Sequence, residues 1–377
     1  MTIPELPTPA VLIDKARAIR NIDRLQKTAG AHGVALRPHA KTHKSPTVAG
    51  WQLARGAVGI CCAKLGEAEV FAEAGIEDIR LPYPLHPANA DRVIALARRT
   101  RLSFIVDHMD IASAWSAALA AASVEVDVLV KVDVGFHRCG IDPAPATAIP
   151  FIGAVARLPG LRLAGLLSHA GHAYHATSDD HLRRIAADEA ATLRDLAAKA
   201  RSAGVEIREL SAGATPTARF SLEETGLTEY RAGNYVYLDR TQVGLGAASI
   251  DDCALTVLAR VVSAPHPSRA VVDAGSKTLS SDGARGFTPG AGYGGILAGG
   301  AAADGPAVCD DGLTLERLSE EHGVVSIAPG HPPLAPGDLV RIVPNHACVV
   351  SNLVDAAWVV DAERIDPLTI AARGRLT

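Results

Sequence analysis

From about residue 10 to about residue 240 the sequence alternates short β-branched runs with longer Ala/Leu/Arg-rich stretches of helical period. No other feature restricts the fold as strongly, because repeated βα units make the strands parallel and put the crossover helices outside the sheet. The expected strands are 35–39, 58–62, 78–82, 102–106, 126–133, 163–169, 207–211 and 228–232. The expected helices lie near 15–32, 45–55, 65–75, 87–99, 109–122, 143–157, 178–203 and 216–224. That strand count is that of an α/β fold of the (β/α)8 TIM-barrel type, which typically needs roughly 250 residues. After about residue 242 the helical period stops, and 255–262, 269–273 and 339–343 read as strands of a β-rich second domain. The expected division is a barrel over 10–241 and a β-domain over 242–377, which residues 1–9 are free to join. Asp282 to Gly312, dense in Gly and Ala, is expected to form loops near a site or an interface.

Composition narrows the partners. The net charge of −4 is spread over interspersed acids and bases, which leaves no basic stripe for nucleic acid and no cationic amphipathic helix for a membrane. The N-terminal residues Met1 to Pro7 lack a cationic stretch followed by an apolar core, so export is not expected. Six cysteines at 61, 62, 139, 253, 309 and 348 show no CxxC pair and no scaffold density. They are expected to be reduced in a cytoplasmic protein, mostly as small core residues.

In a barrel, reactive groups sit at the C-terminal ends of strands and in the loops that follow. Lys41 follows the first expected strand, within Arg37-Pro38-His39-Ala40-Lys41-Thr42-His43-Lys44. A lysine there can form an imine with an aldehyde cofactor if burial and cationic neighbours lower its pKa, and His39, His43 and Lys44 are the neighbours at hand. By itself the segment reads more readily as a solvated basic loop. Ser211, Gly213 and Thr215 follow the seventh strand, and Gly233, Asn234 and Tyr235 the eighth. Small residues there let backbone N–H groups approach a phosphate, although such loops are often only turns. Arg138 follows the fifth strand, and His169 closes the sixth, where it could lie against a planar ring or simply cap the barrel. Arg231 could face a ring nitrogen or pair with Glu229. If the chain stays extended after 339–343, His346 and Cys348 project to one face and could share a metal ion. Imidazole with thiolate suits Zn2+, with Mn2+ the alternative.

Taken together, Arg37 to Lys44, Gly59-Ile60-Cys61-Cys62-Ala63-Lys64, Val132-Asp133-Val134-Gly135-Phe136-His137-Arg138-Cys139-Gly140, Glu321-His322-Gly323 and Pro344-Asn345-His346-Ala347-Cys348 resemble the D-threonine aldolase and D-serine dehydratase family. The resemblance runs over nearly the whole chain. It implies the alanine-racemase-like fold type of pyridoxal-phosphate enzymes, usually a homodimer. By that resemblance Lys41 holds pyridoxal 5'-phosphate, Arg138 and His169 line its ring, 211–215 and 233–235 hold its phosphate, Arg231 lies near the pyridine nitrogen, and His346 and Cys348 bind a divalent metal. The implied reaction is dehydration of a small β-hydroxy D-amino acid to a 2-oxo acid and ammonia, with retro-aldol cleavage to glycine and an aldehyde as the alternative. His-x-Cys, where aldolase-type members tend to show His-x-Asp, favours the dehydratase branch. A racemase would need a second acid/base group, for which no tyrosine stands out. A non-catalytic carrier of the cofactor would be a barrel without the β-domain.

Overall fold

The computed structural model describes residues 2–300 and 306–377. The chain opens with a strand, β1 (Ala10–Asp14), that does not enter the barrel. Eight parallel strands then follow in order: β2 (Ala35–Leu36), β3 (Ile60–Cys61), β4 (Asp78–Pro84), β5 (Arg101–Val106), β6 (Val126–Lys131), β7 (Leu161–Leu167), β8 (Glu209–Ala212) and β9 (Glu229–Tyr230). They pair as β2-β9-β8-β7-β6-β5-β4-β3. A parallel bridge between His39 and Cys61, with Cys61 N–H donating to the Pro38 carbonyl at 2.8 Å, closes the ring. All eight expected strands are present, since parallel strands buried on both faces read as unbroken apolar runs.

The outer helices fall where the period predicts, and Asp179–Ser202 shows why. The Ser178 side chain caps its start by accepting from His181 N–H, Asp179 and Asp180 occupy its first turn, and Lys199 and Arg201 its last, all favourable to the helix dipole. Leu182, Ile185, Ala186, Glu189, Ala190, Leu193, Leu196 and Ala197 form its buried stripe. Glu189 is the exception in that stripe, a buried carboxylate accepting from Ser168 Oγ at 2.6 Å.

The second domain is built from β10 (Leu255–His266), β11 (Arg269–Val272), β12 (Gly294–Ile296), β13 (Leu313–Leu318), β14 (Gly323–Ile327), β15 (Leu339–Pro344), β16 (Ala356–Asp361) and β17 (Arg364–Thr369). Together with β1 they form one sheet, in which β1 lies antiparallel to β10 and parallel to β16. This corrects the expected boundary at residue 10. β1 is a short apolar run with its two edges hydrogen-bonded to different strands, a place that only the middle of a sheet supplies, so the N-terminal strand belongs with the C-terminal domain. Of the expected Asp282–Gly312 loop region, 294–296 is a strand, and 301–305 lie outside the described residues.

Candidate active site

The loops at the C-terminal ends of the barrel strands and the segments 282–285 and 346–352 of the second domain enclose one cleft of about 490 Å³. Lys41 lies on its wall, in a 3-10 turn (Ala40–Thr42) capped by His39, whose Nδ1 accepts from Lys41 N–H at 3.4 Å. Its amine meets the water of the cleft but is otherwise ringed by protein. Burial lowers its pKa, and the Arg138 and Arg231 charges add to that, against Cys348 and Glu67. The expected cationic neighbours are therefore the wrong ones. Burial keeps His39 well below the usual imidazole value and His43 at about 4, so both are neutral at pH 7. Lys44 is held by Glu67 at 2.9 Å and Asn352 at 2.8 Å.

At the next part of the cleft the loops after β8 and β9 come together. Gly213 has φ +149°, and a Cβ there would stand 2.8 Å from Arg231 N; a Cβ on Gly233 would stand 3.0 Å from both the His39 carbonyl and Thr42 Oγ1. Thr215 Oγ1 is buried without a hydrogen-bond partner. A buried orphan hydroxyl between two closely packed glycine loops at the ends of adjacent barrel strands is the donor set a phosphate requires. His169 Nδ1–H donates to the Gly213 carbonyl at 2.7 Å, and burial holds the ring neutral with Lys41 and Lys131 nearby, so its Nε2 is unprotonated. Phe136 meets the His169 ring edge-on at 5.9 Å, and Arg138 lies 5.0 Å over Phe136. These residues fit pyridoxal phosphate: an amine of lowered pKa, an imidazole held by the Gly213 carbonyl, and an orphan hydroxyl beside close-packed glycine loops.

His346 and Cys348 line the same cleft, although the backbone premise for pairing them fails. The chain turns into a helix at Ala347–Leu353 with His346 at its N-cap (φ −145°, ψ 92°), because Asp239 Oδ2 accepts from Ala347 N–H at 3.0 Å and starts the turn. In a helix residues two apart diverge, yet with His346 at the extended N-cap both side chains line the cleft wall. His346 Nδ1–H donates to Asp282 Oδ2 at 2.7 Å, which leaves Nε2 as the free ring nitrogen. Burial opposes its charge, but Cys348, Asp239 and Asp282 together push its pKa up to about 9. Among the described residues no group of three or more His, Cys, Asp or Glu side chains is placed to hold a metal. Two protein donors with a carboxylate behind the imidazole still fit an ion whose other positions go to water or substrate.

Of the residues expected from sequence, Lys41, Arg138, His169, Gly213, Thr215, Arg231, Gly233, Asn234, His346 and Cys348 all line this cleft. Ser211 and Tyr235 do not. Ser211 Oγ donates to Glu229 and accepts from Arg231 Nε at 2.7 Å, while the Tyr235 hydroxyl accepts from Gln52. Arg231 leaves Glu229 to Arg37 and Arg80 and donates instead to Ser211 Oγ and the Ser168 carbonyl. The sequence reading missed Asp239, Asp282, Arg285 and Tyr174, all in the cleft wall. Tyr174 lies five residues past His169, and nothing local in the sequence marks its direction.

Residues 13–241 match the family model "Alanine racemase, N-terminal domain" and residues 254–360 match "Putative serine dehydratase domain". The chain is 34% identical over 375 residues to a D-threonine aldolase of an Arthrobacter species, covering 97% of this chain and 93% of that one. It is 36% identical over 364 residues to the D-threo-3-hydroxyaspartate dehydratase of Delftia sp. strain HT23, covering 92% of each. Among solved structures, a cysteine-to-alanine mutant of D-threo-3-hydroxyaspartate dehydratase in the metal-free form superposes with a TM-score of 0.90 at 33% identity over 98% of both chains. No helix among the described residues is long and apolar enough to cross a membrane. The chain belongs to the alanine racemase N-terminal-domain family of pyridoxal-phosphate proteins, in the branch whose second domain is of the serine dehydratase type.

Proposed function

We propose that the protein is a pyridoxal-phosphate and divalent-metal-dependent lyase that dehydrates small β-hydroxy D-amino acids to a 2-oxo acid and ammonia. One observation carries the reading. Thr42 Oγ1 lies 3.2 Å from Cys348 Sγ, so the turn that bears Lys41 touches the His346/Cys348 pair across the domain boundary. An amine for Cα and a metal-binding pair for the β-substituent therefore share one cleft.

When bound, pyridoxal phosphate supplies an electron sink for the Cα carbanion, and a divalent ion supplies a Lewis acid that improves hydroxide as a leaving group. The chain's own residues do the rest. Thr215, Gly213, Gly233 and Asn234 would hold the phosphate, His169 would lie against the ring and Arg231 would lie toward its nitrogen. Arg231, as a guanidinium, would disfavour a proton on that nitrogen, so that the metal pair would matter more. Lys41, of lowered pKa, takes the α-proton from Cα. His346 Nε2 and Cys348 Sγ would hold the ion, with Asp282 orienting the imidazole. The thiolate donor favours Zn2+ over Mn2+. Loss of the Cα proton and the β-hydroxyl amounts to loss of water, and the enamine released hydrolyses to the 2-oxo acid and ammonia.

The 34% identity to a D-threonine aldolase supports a second reading, in which the substrate's β-hydroxyl loses its proton and the Cα–Cβ bond breaks instead. Incubating the cofactor- and metal-loaded protein with D-serine, D-threonine and D-threo-3-hydroxyaspartate separates the two. Ammonia with a 2-oxo acid supports dehydration, glycine with an aldehyde supports cleavage, and turnover of none overturns both. The reading also takes the protein to act in the cytoplasm as a homodimer, checked by its mass in solution.

A further inference from the structure

Lys44 ends the segment that bears Lys41, and its backbone is strained: φ is +49°, in the left-handed region that residues with a Cβ rarely enter. Such strain persists only where the surroundings hold it in place, and it collects at functional sites. Here the hold comes from all sides. Lys44 N–H donates to the Ala40 carbonyl at 2.8 Å, and the Lys44 carbonyl accepts from Ala372 N–H at 2.9 Å. The residue is buried, and its Nζ lies between partners on different domains, Glu67 Oε1 at 2.9 Å and Asn352 Oδ1 at 2.8 Å.

Glu67 is itself fixed on the barrel side. It is buried in the first turn of the helix Leu65–Glu73, and its other oxygen accepts from Ala63 N–H at 2.6 Å and Lys64 N–H at 3.3 Å. Asn352 belongs to the second domain. It follows Cys348 by four residues in the helix Ala347–Leu353, so the two share one helix face, and both line the cleft. Two contacts therefore join the Lys41 segment to that helix, one turn apart: Thr42 with Cys348 at 3.2 Å, and Lys44 with Asn352. The second uses neither Lys41 nor the His346/Cys348 pair, so it can set their separation whatever those groups bind.

We infer that Lys44 is a positioning residue whose ammonium clamps the Cys348 helix to the Lys41 segment, so that cofactor binding on the barrel and ion binding on the second domain strengthen each other. This rests on the proposed assignment of Lys41 to pyridoxal phosphate and of His346 with Cys348 to a metal. Groups carried on two domains act on one substrate only if their relative placement is held closely. A ligand that orders one side of the clamp leaves less ordering for the ligand on the other side, which is positive coupling and is equal in both directions.

The test titrates Zn2+ calorimetrically into chelated protein, with pyridoxal phosphate bound and with it removed, in the wild type, Asn352→Ala and Lys44→Met. In the wild type the cofactor should tighten Zn2+ binding about tenfold, and in both variants this factor should fall below about twofold. Asn352→Ala keeps the Lys44–Glu67 ion pair and strands no buried carboxylate, so it decides alone if Lys44→Met does not fold. A merely structural role would lower the melting temperature and weaken Zn2+ alike in both cofactor states, leaving the factor as in the wild type. That result in either variant, or a wild type in which the cofactor has no effect on Zn2+ affinity, would overturn the inference and leave the lyase reading intact. A wild type that binds no Zn2+ in either state would refute the metal reading, and the inference with it.

Discussion

Glu229→Gln removes the charge at the centre of the barrel's buried ion network. Glu229 is 4% exposed at the end of β9. Its Oε2 accepts from Arg37 Nε at 2.6 Å, and its Oε1 accepts from Arg80 Nη1 at 2.5 Å and from Ser211 Oγ at 2.6 Å. Burial works to raise its pKa, but Arg80 and Arg37, with Ser211, bring it down to about 2 from the ordinary 4.5. At about 1.36 kcal/mol per pH unit that gap is worth roughly 3 kcal/mol of stability at neutral pH. Because the folded value lies below the unfolded one, the contribution is complete above about pH 4.5 and is lost as pH falls toward about 2. Removing one partner of a buried pair costs about 3–5 kcal/mol. The low end applies here, since Arg37 keeps Asp78, and Arg80 keeps Glu209 and Ser103. Urea denaturation followed by tryptophan fluorescence should show the variant less stable by about 3 kcal/mol at pH 7, the difference shrinking as pH falls to about 3. A loss below about 1 kcal/mol at pH 7, or one that does not change with pH, would refute the argument. Ser211 also accepts from Arg231, so the variant should bind pyridoxal phosphate more weakly as well.

Lys41→Ala should lose both turnover and the visible absorbance of a lysine-bound cofactor; a variant that keeps the band would remove Lys41 from the cofactor site. Thr215→Val deletes a hydroxyl that has no partner among the described residues, so thermal stability should hold or rise slightly while cofactor affinity falls on the order of tenfold; equal loss in both would make Thr215 structural. Gly213→Ala puts a Cβ 2.8 Å from Arg231 N at a positive φ and should cost about 1–3 kcal/mol, seen as a lowered melting temperature, together with weaker cofactor binding. Asp282→Asn should weaken metal binding about 10- to 100-fold by loosening His346, measured by titrating Zn2+ back into chelated protein; unchanged affinity would separate Asp282 from the metal pair.

The barrel was legible because its signal is local. Runs buried on both faces give unbroken apolar strands, and one-sided helices repeat at 3.6 residues, so 35–36 through 229–230 and the intervening helices can be read from near neighbours in the chain. Lys41, Arg138, Thr215 and Gly233 were legible for a related reason: once the strands are placed, the residues just beyond them must gather at one end of the barrel. His346 and Cys348 were legible as a pair by their types, though the extended backbone assumed for them was not what formed.

Pairings across long stretches of chain had no such signal. The join of β1 to β10 and β16 spans more than two hundred residues, Asp282 meets His346 across 64 positions, and Thr42 meets Cys348 across 306. Protonation followed the same division. The sequence put His39, His43 and Lys44 beside Lys41, but packing neutralised the histidines and gave Lys44 to Glu67, leaving Arg138 and Arg231 as the cations that matter. The sequence by itself determined the elements and the set of reactive groups, because both depend on residue type and short-range period. Only the tertiary structure decided which of those groups are charged, paired or free, because burial and the field of distant neighbours exist only once the two domains have closed around the cleft.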